Sequence, residues 1–251
     1  AHAVMGAPLV RISDSARIYE ALMRMEEKGV RHLAVETQEG RIVAVIDSKS
    51  LVQFRRYGPV VLAREIERAA SPAEVARSCQ RTPPLAKALL ESSARPQFVT
   101  GMLASTCDAA SQRLIELALA QLGPAPAPFS FIAMGSQGRK EQTLLTDQDN
   151  GIIFLAEDRQ TEEQAQAYFL KLGELVCGGL EQAGYLACRG GVMARNPLWC
   201  RSLAKWKAGF DGWLARSEAQ EIMQISIFFD FRAIYGESGL AGLLRGHVNT
   251  A

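Results

Sequence analysis

Residues 129–154 read FSFIAMGSQGRKEQTLLTDQDNGIIF, and this stretch decides how the rest of the chain is interpreted. The opening run, Phe129 to Met134, has the apolar content and length of a buried strand. Gly135-Ser136 then allows the backbone to turn closely. A second apolar strand, NGIIFL, follows directly after Asp147 and Asp149. The stretch therefore predicts two strands joined by a polar segment that carries two acids.

The polar segment after the first strand has the features of an anion-binding turn. The letters GRKEQ predict the beginning of a helix whose free N–H groups point at the turn. Such a helix start attracts a phosphate, and Arg139 and Lys140 add positive charge within reach of it. The sequence thus predicts a phosphate site at Gly135, Ser136, Arg139 and Lys140.

The two acids have the spacing of metal ligands. Strand alternation places Asp147 and Asp149 on one face, roughly 6.6 Å apart. At an effective dielectric constant near 20 their carboxylates repel by about 2.5 kcal/mol, a cost that a divalent cation between them would remove. Hard oxygen ligands beside a phosphate site favour Mg²⁺ or Mn²⁺. The combination predicts metal-assisted nucleotidyl transfer, with both acids as catalytic metal ligands.

Composition excludes several other classes of protein. A chain of 251 residues is long enough for roughly two domains, and its 48% hydrophobic and 22% charged residues are ordinary for a globular protein. The formal net charge of +1 gives no global field for nucleic acid or membrane surfaces. The five cysteines form no C-x-x-C pair, which disfavours a disulfide framework and a zinc site. With no signal peptide or membrane segment, we predict a cytoplasmic protein.

The chain before this stretch falls into two parts. Residues 1–56 predict a β-α-β-β unit, in which a Gly-containing turn joins the last two strands. Residues 57–123 predict a helical connector, with Ser71-Pro72 as a helix start. The Pro-rich letters GPAPAP at 123–128 then end the connector.

The N-terminal part resembles a single CBS motif over residues 4–54, VMGAPLVRISDSARIYEALMRMEEKGVRHLAVETQEGRIVAVIDSKSLVQF. CBS motifs come in packed pairs, so the resemblance implies half of a pair, a chain cut from a longer protein, and a CBS-mediated homodimer. Nucleotide-binding CBS motifs hold ribose near the positions of Asp47 and Ser50, but an acid at Asp47 would repel a phosphate. An interaction module is preferred, and adenosine-nucleotide sensing stays open.

The spacing of Gly-Ser and D-x-D is similar to the signature of the polymerase-β-like nucleotidyltransferase superfamily, with polar Gln148 where the pattern has an apolar residue. Together with CRGGVMARNPLWCRSLAKWKAGFDGW (188–213) and ISIFFDFRAIYG (225–236), it resembles the bacterial DUF294 family. These nucleotidyltransferases are akin to the PII-protein uridylyltransferases. The resemblance implies that Gly135 and Ser136 contact the phosphates of a nucleoside triphosphate (NTP) and that Asp147 and Asp149 bind Mg²⁺ or Mn²⁺.

The resemblance also implies that Arg139 and Lys140 neutralise the triphosphate. A third carboxylate is common in this superfamily on a later strand. That strand is expected near residues 185–194, YLACRGGVMA, which contain no acid. Arg189 and Gly190-Gly191 are candidates for an acceptor or base pocket. Asp230 is an alternative third acid, but a pairing with Arg232 or a capping role in a C-terminal helix is preferred.

The predicted fold class is α/β, of the α+β type. The expected order is a single CBS-like motif (1–56), the helical connector (57–123), a nucleotidyltransferase core with a mixed sheet (124–196), and a truncated C-terminal helical part (197–251). Trp199, Trp206 and Trp213 recur every seven residues, which predicts one buried helical face, with a base-stacking surface as the alternative.

Two functions remain open. The first is an enzyme that transfers a nucleoside monophosphate from an NTP to a PII-like protein or to a small-molecule acceptor, within a CBS-regulated signalling protein. The second is a catalytically weak or inactive module that senses nucleotide. An RNA nucleotidyltransferase is disfavoured, because the chain lacks a basic aromatic surface.

Overall fold

The computed structural model describes residues 9–16, 18–48, 59–91, 94–215 and 229–250. The chain divides into two compact units, Ala1–Val61 and Leu62–Ala251. The described strands are β1 (Arg11–Ser13), β2 (His32–Glu36), β3 (Ile42–Asp47), β4 (Phe129–Ala133), β5 (Asn150–Phe154), β6 (Cys200–Ser202) and β7 (Arg232–Gly236). The described helices are α1 (Ile18–Lys28), α2 (Pro59–Glu67), α3 (Pro72–Cys79), α4 (Thr82–Glu91), α5 (Pro96–Leu122), α6 (Gly135–Gly138), α7 (Arg159–Gln182), α8 (Leu203–Ala215) and α9 (Ser238–Thr250).

The first unit has the predicted β-α-β-β order. Its sheet runs β1-β2-β3, with β1 parallel and β3 antiparallel to β2. A small core of Ile12, Ala21, Met25 and Leu33 joins α1 to the sheet. Asp47 ends β3, whereas Ser50 lies outside the described residues.

The second unit is built on a mixed sheet of order β6-β5-β4-β7. Strand β4 is antiparallel to β5 and β7, and β5 is parallel to β6. All five residues of β4 and all five of β5 are buried, as expected of central strands covered on both faces. With the helices around it, this sheet confirms the predicted α+β class.

The side chains of β4 and β5 alternate between two cores. Phe131 and Phe154 point into the larger core, which α3, α5 and α7 cover. Ile132 and Ile153 point into a second core, where Trp206 of α8 is buried. The sheet is therefore the middle of three layers.

The helices that precede the sheet include the predicted start at Ser71-Pro72. The backbone N–H of Glu74 donates to Ser71 Oγ at 3.3 Å, and Pro72 opens α3. Helix α5, at 27 residues, spans about 40 Å. It ends at Gly123, whose φ of +86° is a left-handed conformation that glycine adopts readily.

Two strands lie where the sequence predicted a helical part. Strands β6 and β7 come from the range 197–251 and form the two edges of the sheet. The strand expected near residues 185–194 is a loop with one isolated bridge, between Asp147 and Leu186, and β6 takes the place beside β5. Asp230 accordingly precedes a strand rather than lying in a helix.

The three tryptophans lie in one core but not on one helix. Trp199 precedes α8, which carries Trp206 and Trp213. The ring of Trp199 lies 5.8 Å from that of Trp206 and 5.9 Å from that of Trp213. Trp199 and Trp206 are buried, so the core interpretation is confirmed for these two residues.

Among the residues that the structure describes, no helix combines the length and the apolar character needed to cross a membrane.

Candidate active site

The turn after β4 brings the chain back toward β5. Gly135 is buried with a φ of +57°, a conformation that side chains other than glycine adopt only with strain. The N–H of Met134 donates to the carbonyl oxygen of Asp149 at 2.8 Å, and the N–H of Glu141 donates to that of Ser136 at 2.8 Å. The start of the turn is therefore bonded to the backbone of Asp149, the second acid.

The predicted helix over GRKEQ does not form. Helix α6 begins earlier, at Gly135, and ends at Gly138, and Lys140 has a φ of +61°. One helical turn cannot build the macrodipole of a long helix, so the helix-start argument does not apply. The first residues of this helical turn are Gly135, Ser136 and Gln137. Their N–H groups have no acceptor within the turn, because no helical residue precedes them.

The two predicted metal ligands lie together, with a thiol beside them. One carboxylate oxygen each from Asp147 and Asp149 and the Sγ atom of Cys188 all lie within 4.8 Å of one another. All three residues are half-buried. Two ligands of one ion lie at most twice the ligand distance apart, about 4.2 to 5.2 Å for distances of about 2.1 to 2.6 Å, so these separations are of the size that one ion spans.

Gln148 shows why a polar residue separates the acids. Its side chain is buried, and Nε2 donates to the carbonyl oxygens of Cys177 and Tyr185, each at 3.3 Å. Its backbone N–H donates to the carbonyl oxygen of Leu186 at 2.8 Å. The amide thus joins the acid-bearing segment to the end of α7 and to the loop that carries Cys188.

The site is electrostatically costly for Asp149. Burial raises the pKa of Asp149 from 3.8 to about 6, a hydrogen bond with the Cys188 thiol lowers it, and the charge of Asp147 raises it. Burial also raises the pKa of the Cys188 thiol, and the neighbouring Asp149 adds to this shift. A cation at this position would reverse both effects.

The loop that carries Cys188 is held against β5 and α7. The buried side-chain oxygen of Asn150 accepts a hydrogen bond from the N–H of Ala194 at 2.8 Å, and the backbone N–H of Asn150 donates to the carbonyl oxygen of Val192 at 3.1 Å. A Cβ atom added to Gly173 of α7 would lie 2.4 Å from the carbonyl oxygen of Ala194. The glycine therefore lets the loop approach the helix closely.

The two basic residues of the turn are exposed. Arg139 forms ion pairs of 2.9 Å with both Glu141 and Asp230. The predicted pairing of Asp230 with Arg232 is therefore wrong, because Arg232 pairs with Asp108 at 2.8 Å.

A comparison with protein-family models matches residues 80–220 to the family described as "Putative nucleotidyltransferase DUF294". The chain belongs to the DUF294 family. Residues 1–57 match the CBS domain, so both resemblances in the sequence are confirmed. No curated protein matches the chain.

In this DUF294 chain the predicted site residues fall into two groups. The Met134–Asp149 hydrogen bond joins the start of the Gly135-Ser136 turn to Asp149, and Asp147 lies with Asp149 in the carboxylate–thiol cluster. Arg139 and Lys140 follow the helical turn at its exposed end, with Arg139 already ion-paired.

Other candidates lie in the loop that carries Cys188. Arg189 and Gly190 are exposed next to Cys188, and Gly191 has a φ of +67°.

Cys188 is the site residue that the sequence analysis missed. A signal was present, because the loop that lacked the expected third acid contains a thiol, which is also a metal ligand. Asp147, Asp149 and Cys188 offer two hard oxygen donors and one soft sulfur donor. The oxygen donors suit Mg²⁺ and Mn²⁺, and the sulfur suits softer ions.

Proposed function

We propose that this DUF294 protein is a metal-dependent nucleotidyltransferase that transfers a nucleoside monophosphate from an NTP to an acceptor hydroxyl. One observation carries the proposal. The glycine turn follows the end of β4, the two acids precede the start of β5, and the 2.8 Å hydrogen bond from Met134 to Asp149 joins them at this end of the two central strands. A phosphate chain held by the turn would therefore lie beside the carboxylates.

The proposed reaction is an in-line displacement at the α-phosphorus. The acceptor oxygen forms a new bond to the α-phosphorus and its proton passes to solvent water. The bond from that phosphorus to the oxygen bridging the α- and β-phosphates breaks, so that pyrophosphate leaves. A bound Mg²⁺ or Mn²⁺ would activate the acceptor oxygen and neutralise charge on the phosphates. The protein's part is mainly positioning and electrostatic stabilisation.

Each group of site residues has a proposed task. Asp147 and Asp149 hold the metal as catalytic ligands, and their mutual repulsion favours a cation. Gly135 and Ser136 receive the phosphates through the backbone of the turn. Arg139, with Lys140 beside it, screens the outer phosphates, which requires Arg139 to exchange a carboxylate partner for a phosphate oxygen.

The proposed acceptor is a protein of PII type or a small molecule, and the proposed compartment is the cytoplasm. We also propose that the CBS domain forms a homodimer and regulates transfer. Exposed apolar side chains on β3 support this pairing, since Val43 and Val45 are 53% and 66% exposed.

A second candidate function is nucleotide sensing without turnover. The composition of the Asp147–Asp149–Cys188 cluster favours it. Among the described residues, the third possible metal ligand in this cluster is the thiol of Cys188 and not a third carboxylate. The Asp147–Asp149 pair with the adjoining turn favours the enzyme.

Pyrophosphate release tests the proposal without knowledge of the acceptor. Water can replace the acceptor, so at least one of the four NTPs with Mg²⁺ or Mn²⁺ should slowly give nucleoside monophosphate and pyrophosphate. The proposal expects release that needs the metal and is lost in Asp147→Asn/Asp149→Asn. Metal-dependent NTP binding, with no pyrophosphate released from any NTP in the presence or absence of a PII-type protein, would favour the sensor.

A further inference from the structure

One ion pair joins three separate segments next to the glycine turn. Arg232 lies at the start of β7, and its Nη2 atom lies 2.8 Å from both carboxylate oxygens of Asp108 in α5. The same guanidinium donates to the carbonyl oxygens of Gln137 at 3.0 Å and Gly138 at 3.2 Å. The side chain of Gln137 also donates to Asp108 at 3.0 Å.

These contacts satisfy the carbonyl end of the one-turn helix α6. The last carbonyl groups of a helix have no partner within the helix, so they need a donor from elsewhere. The N–H of Lys140 donates to the carbonyl oxygen of Gln137 at 3.1 Å. Arg232 adds a second donor to that oxygen and donates to the carbonyl oxygen of Gly138, with a planar guanidinium whose N–H groups have fixed directions. The position of the turn is therefore set by β7 and α5.

Helix α5 contacts β7 at two matched points. Asp108 and Gln112 are four residues apart on α5, a rise of about 6 Å along one helical face. Arg232 and Ile234 are two residues apart on β7, a rise of about 6.8 Å along one strand face. Gln112 Nε2 donates to the carbonyl oxygen of Ile234 at 2.7 Å, so the helix fixes both the strand and the turn.

The turn has no free space on this side. A Cβ atom added to Gly138 would lie 2.1 Å from the carbonyl oxygen of Asp230. Asp108 and Arg232 have side chains that are only 16% and 24% exposed. The turn is therefore held at both ends, by the partly buried guanidinium at its carbonyl end and by the bond from Met134 to Asp149 at its start.

We propose that Asp108 and Arg232 are positioning residues that hold the Gly135–Gly138 turn in the conformation that binds the triphosphate. The inference rests on the proposed function, because it assigns the turn to the NTP. Neither residue belongs to the proposed metal ligands. Loss of the pair therefore weakens NTP binding and leaves metal binding intact.

Arg232→Lys is the variant of choice, because lysine keeps the charge but cannot donate in the fixed directions that reach Asp108 and both carbonyl groups. Arg113→Lys is a matched control on α5. Arg113 is 25% exposed, pairs with Glu116 and donates to the carbonyl oxygen of Ala69 at 2.7 Å. Both variants lose similar bonds, but only one of them touches the turn.

The first measurement is amide hydrogen exchange of the full chain without ligand. Arg232→Lys should accelerate exchange over residues 137–141, whereas Arg113→Lys should leave these amides unchanged. Unchanged exchange in Arg232→Lys would overturn the inference, whatever the protein binds.

The second measurement is titration with each NTP and Mn²⁺. Arg232→Lys should raise the Kd of the NTP roughly tenfold, as expected for the loss of charge-assisted hydrogen bonds. The Kd for Mn²⁺ alone should stay at the wild-type value. The loss of NTP-binding free energy in Asp108→Asn/Arg232→Lys should not exceed the sum of the losses in the two single variants. Equal NTP affinity in wild type and Arg232→Lys would overturn this inference and leave the proposed function standing. A wild type that binds no NTP, with faster exchange in Arg232→Lys, contradicts the proposed function and the triphosphate role.

Discussion

The backbone N–H of Met134 donates a hydrogen bond of 2.8 Å to the carbonyl oxygen of Asp149. Met134 immediately precedes the glycine turn, and Asp149 is the second acid of the D-x-D pair. The two residues are 15 positions apart in sequence, yet this bond joins the turn to the acid-bearing segment at the end of the two central strands. The nucleotidyltransferase hypothesis depends on that relationship.

The charge on Asp149 should destabilise the metal-free protein. Burial raises the pKa of Asp149 from 3.8 to about 6. A hydrogen bond from Cys188 lowers this pKa in part, and the charge of Asp147 raises it further. A raised carboxylate pKa means that stability present at low pH is lost as the pH rises through about 6. Asn is neutral at every pH, so Asp149→Asn should be more stable than wild type at about pH 7.5 by about 1–3 kcal/mol.

Urea unfolding in the presence of EDTA measures this effect. The stability gap between Asp149→Asn and wild type should narrow by about 1 kcal/mol between about pH 7.5 and about pH 5. A gap that stays constant over this range would show that the carboxylate is not perturbed as described.

Cys188 should influence which metal binds. A thiolate is a soft ligand, so its removal costs a soft ion more than a hard one. We expect Cys188→Ser to weaken binding of Cd²⁺ or Co²⁺ by about tenfold or more, with a smaller effect on Mg²⁺. The Co²⁺ complex of wild type should also show a sulfur-to-cobalt charge-transfer band in the ultraviolet.

The control for this experiment is Cys79→Ser, which alters a buried thiol outside the acid cluster. If the charge-transfer band is absent from wild type, or is unchanged in Cys188→Ser, then Cys188 is not a ligand. Asp147 and Asp149 would then hold the metal without it.

Two glycines of α7 should respond in opposite ways to alanine. A Cβ atom at Gly173 would lie 2.4 Å from the backbone oxygen of Ala194, whereas nothing lies within 4 Å of a Cβ atom at Gly178. Gly173→Ala should therefore destabilise the protein by about 1–3 kcal/mol and displace the loop that carries Cys188. Gly178→Ala should stabilise it by about 0.5–1 kcal/mol, because alanine has the higher helix propensity.

Thermal or urea unfolding of the two variants gives the comparison directly, since both make the same substitution in the same helix. Similar stability changes for the two would mean that the loop does not pack closely on α7.

Much of the sheet's centre could be predicted from sequence. Strands β4 and β5 are continuous apolar runs with a glycine turn after one and acids before the other, and these are strong local signals. The two edge strands were missed for different reasons. Strand β6 has only three residues, too few for a period to be detected, and β7 lies in a long apolar run that equally fits a helix.

The site divides in the same way. Asp147 and Asp149 precede β5, with Asp147 in an isolated bridge to Leu186, and their proximity was predicted from the two-residue spacing of an extended segment. Cys188 and Arg232 reach the site through tertiary packing, and no local pattern encodes the distance from Cys188 to the acids. Arg139 has the charge of a phosphate ligand. Its ion pair with Glu141 is local, but its ion pair with Asp230 depends on a segment 91 residues away.

The most direct test of the central claim is calorimetric titration of ATP, UTP, GTP and CTP into the full chain with Mg²⁺. The account predicts that at least one NTP binds, that binding requires Mg²⁺, and that Asp147→Asn/Asp149→Asn abolishes it. Glu157→Gln/Glu163→Gln, which removes two exposed carboxylates beyond the other end of β5, should bind as wild type does. NTP binding that persists without metal, or that survives in Asp147→Asn/Asp149→Asn, would contradict a metal-dependent nucleotide site at these acids.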